Sequence, residues 1–249
     1  MNKVLDNLKR SKTAVTSFYI LLGLYVIALI SDFMQHQLLS NWSFFDPQLI
    51  SKAEANDVRQ AFVRIAILIV VIVCAITFIQ WLRRAYHNLH KAKITGLKYS
   101  EGWAAGAWFV PIMNLFAPYQ IMRDVWVKTK DYCRGYNLEV GDTEELDSTK
   151  QKGTSTVALV GWWWAAYLIG NTTESISSNI ERRAGASIDQ LILSTRISMV
   201  ASIINIVALI LVIKMIRESQ HWQNLFLDVW NTKKEATEKP LSESEDILD

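Results

Sequence analysis

The chain has 249 residues, of which 51% are hydrophobic and 20% are charged, and its formal net charge is +2. This composition is more apolar than that of most soluble domains, and so small a charge gives no electrostatic reason to expect a nucleic-acid partner. The apolar residues are gathered in long runs, whereas a soluble core would interrupt such runs every few residues. The sequence therefore predicts an all-α membrane protein that lies in the lipid bilayer and binds no nucleic acid.

No motif points to an enzyme, a cofactor or a bound metal. Cys74 lies in an apolar run and Cys133 in a charged segment, so neither a disulfide nor a metal-binding spacing is expected. His87 and His90 are three residues apart, but Glu101 is their only acidic neighbour in sequence, which favours a solvated pair over a metal site. Signatures of nucleophile elbows, phosphate loops, dinucleotide sites and zinc sites are missing. We predict a protein that is not an enzyme, with no catalytic, cofactor or metal site.

Four hydrophobic runs are predicted to cross the membrane as helices, since about 20 apolar residues cover the hydrocarbon core. The first run is too long for a signal peptide, so it is expected to stay in the protein as a span. The N-terminal residues 1–13 are basic and predicted to be cytoplasmic. The predicted single membrane domain covers residues 14–219, with spans at about residues 14–31, 61–82, 154–171 and 191–213.

The last predicted span is followed by an amphipathic helix, from residue 220 to about residue 232. Its apolar residues recur at helical spacing and share one face: Trp222, Leu225, Phe226, Val229 and Trp230. We expect this helix to lie on the membrane surface or on the protein's own cytoplasmic face. The final residues, 239–249, are acidic and without periodicity, and are predicted to be disordered.

The stretch from Gly102 to Thr129 is apolar enough to enter a membrane but cannot form one uninterrupted helix. Pro111 lacks an N–H, so a helix entering from Gly102 should stop near Val110, and Pro118 suits the first turn of a new helix. We expect a Pro-broken re-entrant or interfacial segment over residues 102–129, made of a short helix, a turn and a returning amphipathic helix. If this segment crossed completely, the chain would have five spans and an external C-terminus.

Asn114 lies in the turn of that segment, and two interpretations are open. Unpaired carbonyl groups between Pro111 and Pro118, together with Asn114, would form a binding site for an ion or a headgroup. Alternatively, Asn114 caps the second helix and the segment is a packed interfacial wedge. We favour the second interpretation.

The distribution of lysine and arginine predicts the orientation in the membrane. With four spans, the basic N-terminus, the basic residues from Arg83 to Lys98 and from Lys128 to Lys152, and the basic end of the last span all fall on one side. Cytoplasmic loops carry such an excess of positive charge. Both termini are therefore expected to be cytoplasmic, in a cell membrane.

Arg64 and Arg196 are charged residues within hydrophobic segments, and such charges are candidates for function. The uncharged remainder of each segment is nearly long enough to span, so both side chains can lie at the outer boundary and reach water. Asp32 and Glu174 lie near the same boundary, so a cluster of ion pairs is expected there. In the last span, Ser198, Ser202 and Asn205 share a side with small residues and are expected to pack against another helix.

One pattern resembles a known family of membrane proteins. The helix that leaves the second span carries Trp81, Arg84, Ala85 and Asn88, and Gly96 follows. Next comes the block WFVPIMNLFAPYQIMRDVW, in which Trp108, Pro111, Asn114, Pro118 and Trp126 are the characteristic positions. The pattern, over roughly residues 61–211, resembles domain of unknown function 4328. The resemblance implies a multi-pass, mainly bacterial membrane protein, and no established activity comes with it.

These observations favour a protein that acts by binding. We expect a non-enzymatic scaffold, or a regulatory subunit of a membrane complex, that binds a protein partner or lipid headgroups; the sequence leaves open a membrane-protein partner or a homo-oligomer. Its contact surface would be a basic, Trp-rich cytoplasmic layer made by residues 83–98, 122–130 and 220–232. The alternative is a small transporter or channel that uses the broken segment, residues 102–129, and the region of Arg64 and Arg196.

Overall fold

The computed structural model describes residues 4–42, 47–140, 144–183 and 187–238, and within these ranges it contains helices and no strand. The predicted all-α fold is confirmed. The α-helices are α1 (Leu8–Ser40), α2 (Pro47–Lys91), α3 (Trp103–Gly106), α4 (Ala117–Val140), α5 (Glu144–Arg183) and α6 (Ile188–Glu238). A 3-10 turn, Met113–Leu115, lies between α3 and α4. The predicted disordered tail, residues 239–249, lies outside the described residues.

Three helices in the described part of the chain are long and apolar enough to cross a membrane: Leu8–Ser40, Gln48–Lys91 and Ile188–Ala236. The chain is therefore an integral membrane protein. The helix that contains the predicted span at residues 154–171, α5, is not among the three. Its apolar run is short, is flanked by polar residues and holds three consecutive tryptophans, which are less hydrophobic than aliphatic residues. The count of four spans stays a prediction.

Several helices extend further than the hydropathy pattern indicates. Helix α2 continues beyond the predicted span to Lys91, as the lack of a helix breaker before Gly96 predicts. Hydropathy alone would assign the polar stretches at residues 144–152 and 172–183 to loops, but both belong to α5. Polar residues do not end a helix unless proline or a cap intervenes, and the chain has no proline between Pro118 and Pro240.

Helix α6 likewise runs without a break through residues 220–232, where a separate amphipathic helix was expected. Phe226 and Val229 on its apolar face are buried in the protein. Tyr132 of α4 packs on Phe226 with 4.7 Å between ring centroids. The apolar face of this stretch is therefore at least partly covered by α4.

Contacts between residues divide the chain into two compact units. Unit 1 consists of residues 1–11, 79–157 and 217–249. Unit 2 consists of residues 12–78 and 158–216. Unit 2 thus draws one helical segment from each of α1, α2, α5 and α6.

Aromatic side chains fill part of the core of unit 2. Phe78 lies 5.7 Å from Trp163, measured between ring centroids, and Trp164 stacks on Tyr167 at 5.2 Å. Trp163 and Trp164 are buried, whereas Trp162 is 69% exposed, because consecutive residues of a helix point about 100° apart. Two of the three tryptophans therefore pack inside the unit and one faces outward.

The outward surface of unit 2 is apolar along α2. Phe62, Leu68 and Ile72 are all more than half exposed, and only 17% of the most apolar window of this helix is buried. Soluble proteins rarely expose so large a continuous apolar surface. A lipid bilayer is the environment that would cover it.

In unit 1, α2 is followed by a turn that contains two residues with positive φ. Lys93 has a positive φ of 55°, and the N–H of Ile94 donates to the carbonyl of Leu89 at 3.1 Å, as in a Schellman motif. Gly96 follows with φ of 76°, a conformation that favours glycine, and a Cβ there would lie 3.2 Å from Lys128 Nζ. This turn leads the chain from α2 into the broken segment.

Candidate functional site

A cavity of about 760 Å³ lies in unit 2. Cavities of this size hold small ligands or lipid headgroups. Leu38, Leu39, Trp42, Ile188 and Leu191 are among its apolar walls. The polar side chains that line it are Gln35, Asn56, Asp57, Gln60, Arg64 and Glu181. The cavity therefore combines an apolar wall with a few charged and amide groups, as binding sites for small molecules do.

Helical spacing brings these groups to the cavity. On α2, Asn56, Gln60 and Arg64 follow one another at intervals of four residues, and on α1, Leu38 and Leu39 lie three and four residues after Gln35. Residues at such intervals share one face of a helix. One stripe of α2 thus carries polar groups from its polar first part into the start of its apolar run.

Arg64 forms an ion pair with Glu181, a residue that was not among the expected members of the boundary cluster. Arg64 Nη2 lies 2.8 Å from Glu181 Oε2, and the two side chains are 51% and 32% exposed. The charges of Asp32 and Glu174 also act on Arg64. An ion pair so open to solvent contributes about 0–1 kcal/mol to stability. Because the pair is weak and exposed, a ligand can contact either side chain at little cost.

Asp32 is the buried member of this cluster, with 6% of its surface exposed. Its carboxylate accepts hydrogen bonds from Ser198 Oγ at 2.8 Å and from Gln60 Nε2 at 3.2 Å. Buried carboxylates need such donors because desolvation disfavours their charge. Asp32 therefore holds Gln60, which lines the cavity, in a fixed position.

Arg196, the second arginine predicted at this boundary, does not line the cavity. Its Nε donates to His36 Nε2 at 3.0 Å, and its side chain is exposed. The two arginines thus have different surroundings. Of the two arginines, only Arg64 lines the cavity.

Three of the four family positions at the end of α2 contact the N-terminal segment of the chain in unit 1. The Asn88 side chain accepts from the N–H of Leu5 at 3.0 Å and donates to the carbonyl of Leu5 at 2.8 Å. The Trp81 carbonyl accepts from Asn7 Nδ2 at 3.0 Å, and Arg84 Nη1 lies 3.4 Å from the Asp6 carbonyl. The side chains of Asn88 and Arg84 thus contact the N-terminal segment, and Trp81 does so through its backbone.

Trp81 is enclosed by protein rather than exposed at a surface. Its side chain has no exposed surface, because it is packed inside unit 1. Trp126 is also buried, with 2% of its surface exposed. Trp126 belongs to the predicted contact layer, which therefore loses one of its tryptophans as a contact residue.

The family positions of the broken segment differ in how deeply they are buried. Pro118 is buried in the first turn of α4, as predicted, whereas Pro111 is exposed and Trp108 is partly buried. The Oδ1 atom of Asn114 is buried and has no hydrogen-bond partner among the described residues. The interpretation that Asn114 caps α4 through its side chain is therefore wrong.

A buried cation in unit 1 was missed by sequence reasoning. Lys130 Nζ lies 4.6 Å from the ring centroid of Trp126 and 5.2 Å from that of Trp222, and the residue is 6% exposed. Burial lowers the pKa of Lys130 to about 8, while Glu218 opposes this shift and Arg134 adds to it. The helical stripe Met122, Trp126 and Lys130 was the available signal, since residues four apart share a face.

His87 pairs with Glu101 in unit 1. The His87 Nδ1 atom lies 2.8 Å from Glu101 Oε1, and this contact lowers the pKa of the Glu101 carboxyl below its usual value. Tyr86 Oη also donates to the Tyr99 carbonyl at 2.9 Å. The pair therefore ties the connection that follows α2 back to that helix.

Comparison with known proteins adds a family but no activity. Residues 48–221 match the family described as Domain of unknown function (DUF4328). No curated protein and no solved structure matches the chain. The matched residues cover most of the chain, including the cavity-lining stripe of α2, the broken segment and α4. The chain belongs to the DUF4328 family.

Proposed function

We propose that this integral membrane protein acts by binding, and that the cavity of unit 2 takes a small zwitterionic group. The observation that carries the proposal is the Arg64–Glu181 pair at the wall of the cavity. The guanidinium would bind a phosphate or carboxylate, and the carboxylates of Glu181 and Asp57 would bind an ammonium group. The phosphoethanolamine headgroup of a membrane lipid has this chemistry.

Geometry and charge support this ligand class over a purely anionic one. A guanidinium has five N–H donors, more than one carboxylate can use, so Arg64 can hold Glu181 and a ligand anion together. The lining contains one arginine against Glu181 and Asp57, so it carries an excess of negative charge. An ammonium group on the ligand would balance that excess.

The proposed arrangement in the membrane is four passes with both termini in the cytoplasm. Support comes from the four helical segments of unit 2 and from the distribution of basic residues. Binding of a headgroup fits a non-enzymatic scaffold or a regulatory subunit of a membrane complex. A membrane-protein partner or a second copy of the chain would then respond to the occupied cavity.

Native mass spectrometry of the detergent-solubilised protein, with phosphatidylethanolamine and phosphatidylglycerol added in equal amounts, tests the proposal. We expect wild type to retain phosphatidylethanolamine preferentially. Arg64→Gln should weaken retention about tenfold, because losing one charge-assisted interaction costs roughly 1.5 kcal/mol. Glu181→Gln should reduce the preference between the two lipids, since it removes the partner of the ammonium group.

The matched control is Arg183→Gln, which removes an exposed arginine on the same helix as Glu181 but outside the cavity lining. Equal retention by Arg64→Gln and by this control would disprove the proposal. A parallel titration with soluble phosphoethanolamine distinguishes the two sources of the ligand. Binding of the soluble compound as tightly as the lipid would identify a solute site rather than a lipid site.

Transport is the second candidate, and buried polar groups of unit 2 favour it. Asp32, Ser202 and Asn205 are buried, and Ser17 Oγ lies 3.0 Å from Thr77 Oγ1. A polar path through a bundle is what a transporter needs, while the broken segment of unit 1 shows five exposed apolar side chains instead. Uptake of labelled ethanolamine by proteoliposomes, abolished in Asp32→Asn, would favour transport over binding.

A further inference from the structure

The connection from α3 to α4 in unit 1 exposes an unusual group of large apolar side chains. Phe109 is 79% exposed, Ile112 73% and Leu115 59%, and Val110 and Phe116 are also exposed. No other part of the described chain outside the long helices presents such a group. The side chains belong to eight consecutive residues, so they form one local patch.

The backbone of this segment is a series of short turns rather than one helix. An N–H donates to the carbonyl three residues earlier from Phe109 to Gly106, from Leu115 to Ile112 and from Phe116 to Met113, and the Asn114 N–H donates to the Val110 carbonyl. These turns keep the connection short and local, so the five exposed apolar side chains lie close together.

The same hydrogen bonds argue against a deep binding loop. A re-entrant site for an ion needs free carbonyl groups that point into a wet cavity. Here the carbonyls of Gly106, Val110, Ile112 and Met113 already accept hydrogen bonds from within the segment. These bonds account for only part of the backbone of residues 109–116, so the segment suits shallow insertion, where headgroups and water stay within reach, rather than depth in the hydrocarbon.

We infer that residues 109–116 form a wedge that inserts its apolar side chains into one leaflet of the bilayer. The bilayer is the apolar medium expected next to this patch, because three helices of the chain have the length and composition to cross one. Arg123 is exposed on α4, two turns after Phe116, where it can reach lipid phosphates. The wedge and the cavity belong to different units, so either proposal can fail alone.

Site-directed fluorescence in nanodiscs of phosphatidylethanolamine and phosphatidylglycerol at three to one tests this inference. Ile112→Cys and Phe109→Cys are labelled with an environment-sensitive dye; both native cysteines are buried, so wild type reports the background labelling. Quenching by iodide reports water, and quenching by nitroxide groups at shallow or deep acyl positions reports depth. The control is Ser100→Cys, an exposed polar position of the same unit.

We expect both wedge labels to be quenched severalfold more by shallow nitroxide lipids than by iodide, and the Ser100 label to show the reverse. Iodide quenching of the Ile112 label equal to that of the Ser100 label would overturn the inference. Stronger quenching from the deep position would also overturn it, in favour of a re-entrant segment. Protection from every quencher would show that protein covers the patch, and would overturn it as well.

Discussion

At the scale of single residues, Lys130 is the least expected feature of the described chain. Its ammonium group lies against the rings of Trp126 and Trp222, in surroundings that lower its pKa to about 8. Cation–π contacts return only part of the hydration energy that a buried charge loses. The packing of α4 against α6 therefore contains a charge that opposes folding at neutral pH.

We predict that Lys130→Met raises the melting temperature at pH 7 by a few degrees. The folded pKa lies below the unfolded value near 10.5, so the cost is fully present below pH 8 and disappears as the pH rises through 8 towards 10.5. Allowing for partial solvent screening, the cost at pH 7 is about 1–2 kcal/mol. Thermal unfolding in detergent at pH 7 and pH 9.5 should show the difference between wild type and variant shrinking.

Lys128→Met is the control, since Lys128 lies on the other side of α4 and is only partly buried. It should change the melting temperature equally at both pH values. If Lys130→Met is less stable than wild type at pH 7, the cation–π contacts outweigh the cost of burial and this account of Lys130 is wrong.

The residues of α4 show what sequence could reveal and what it could not. Helical spacing places Met122, Val125, Trp126 and Thr129 on one face, and all four are buried. The next residue on that face is Lys130, which charge alone would assign to the surface. Periodicity places a residue on a face correctly, but the aromatic partner of Lys130 comes from α6, far away in sequence.

At the scale of elements, α5 and α6 approach each other closely within unit 2. A Cβ on Gly170 would overlap with Oδ1 of Asn205 and lie 3.0 Å from its Cγ. Asn205 is 8% exposed, and Ala201 and Ala208 on the same helix are buried. The expectation that this side of the last span packs against another helix is confirmed, and small residues permit the approach.

We predict that Gly170→Ala destabilises the protein by about 1–2 kcal/mol, because Asn205 must move from a packed position. Thermal unfolding of the purified protein measures the change. Gly161→Ala is the matched control, since nothing lies within 4 Å of the Cβ it would add. In a helix interior that substitution should be neutral or stabilising by up to about 1 kcal/mol. Equal effects of the two substitutions would contradict the close approach.

At this scale, the lengths of the helices were the feature that the sequence predicted least well. Hydropathy identified α1, α2 and α6 as apolar, but it placed loops where α5 is helical. Hydropathy reports where a helix can meet lipid, whereas capping residues and proline decide where it ends. The cavity could not be predicted for a different reason, since Arg64 and Glu181 are brought together only by the packing of α2 and α5.

At the scale of the whole molecule, the number of membrane crossings decides which groups face the cytoplasm. We expect four, with Ser51 and Arg183 outside the cell and Glu235 inside. Single cysteines at these exposed positions, tested with a membrane-impermeant maleimide on intact cells, measure this arrangement. Labelling of Ser51→Cys and Arg183→Cys, but not of Glu235→Cys before lysis, is the expected result.

The pattern of labelling also distinguishes the alternative of three crossings. If α5 does not cross, Arg183→Cys would be protected and Glu235→Cys would be labelled. With three crossings, Arg64 would lie near the outer surface of the membrane and Glu181 near the inner surface, although the two side chains are in contact. That result would therefore contradict the four-pass arrangement and remove the basis for a headgroup site in unit 2.

The hydrogen bonds of Asn7 have a consequence for how the protein is made. Its side chain donates to the Trp81 carbonyl and, at 2.8 Å, to Oε1 of Gln223, which follows 216 positions later. At about 5–20 residues per second, a ribosome needs roughly 10–40 s to reach Gln223 after it has made Asn7. The Trp81 carbonyl is available for most of that time, but Gln223 is not. The hydrogen-bond set of Asn7, and with it this part of unit 1, is thus completed only after the first two membrane-spanning candidates and most of the third have been made.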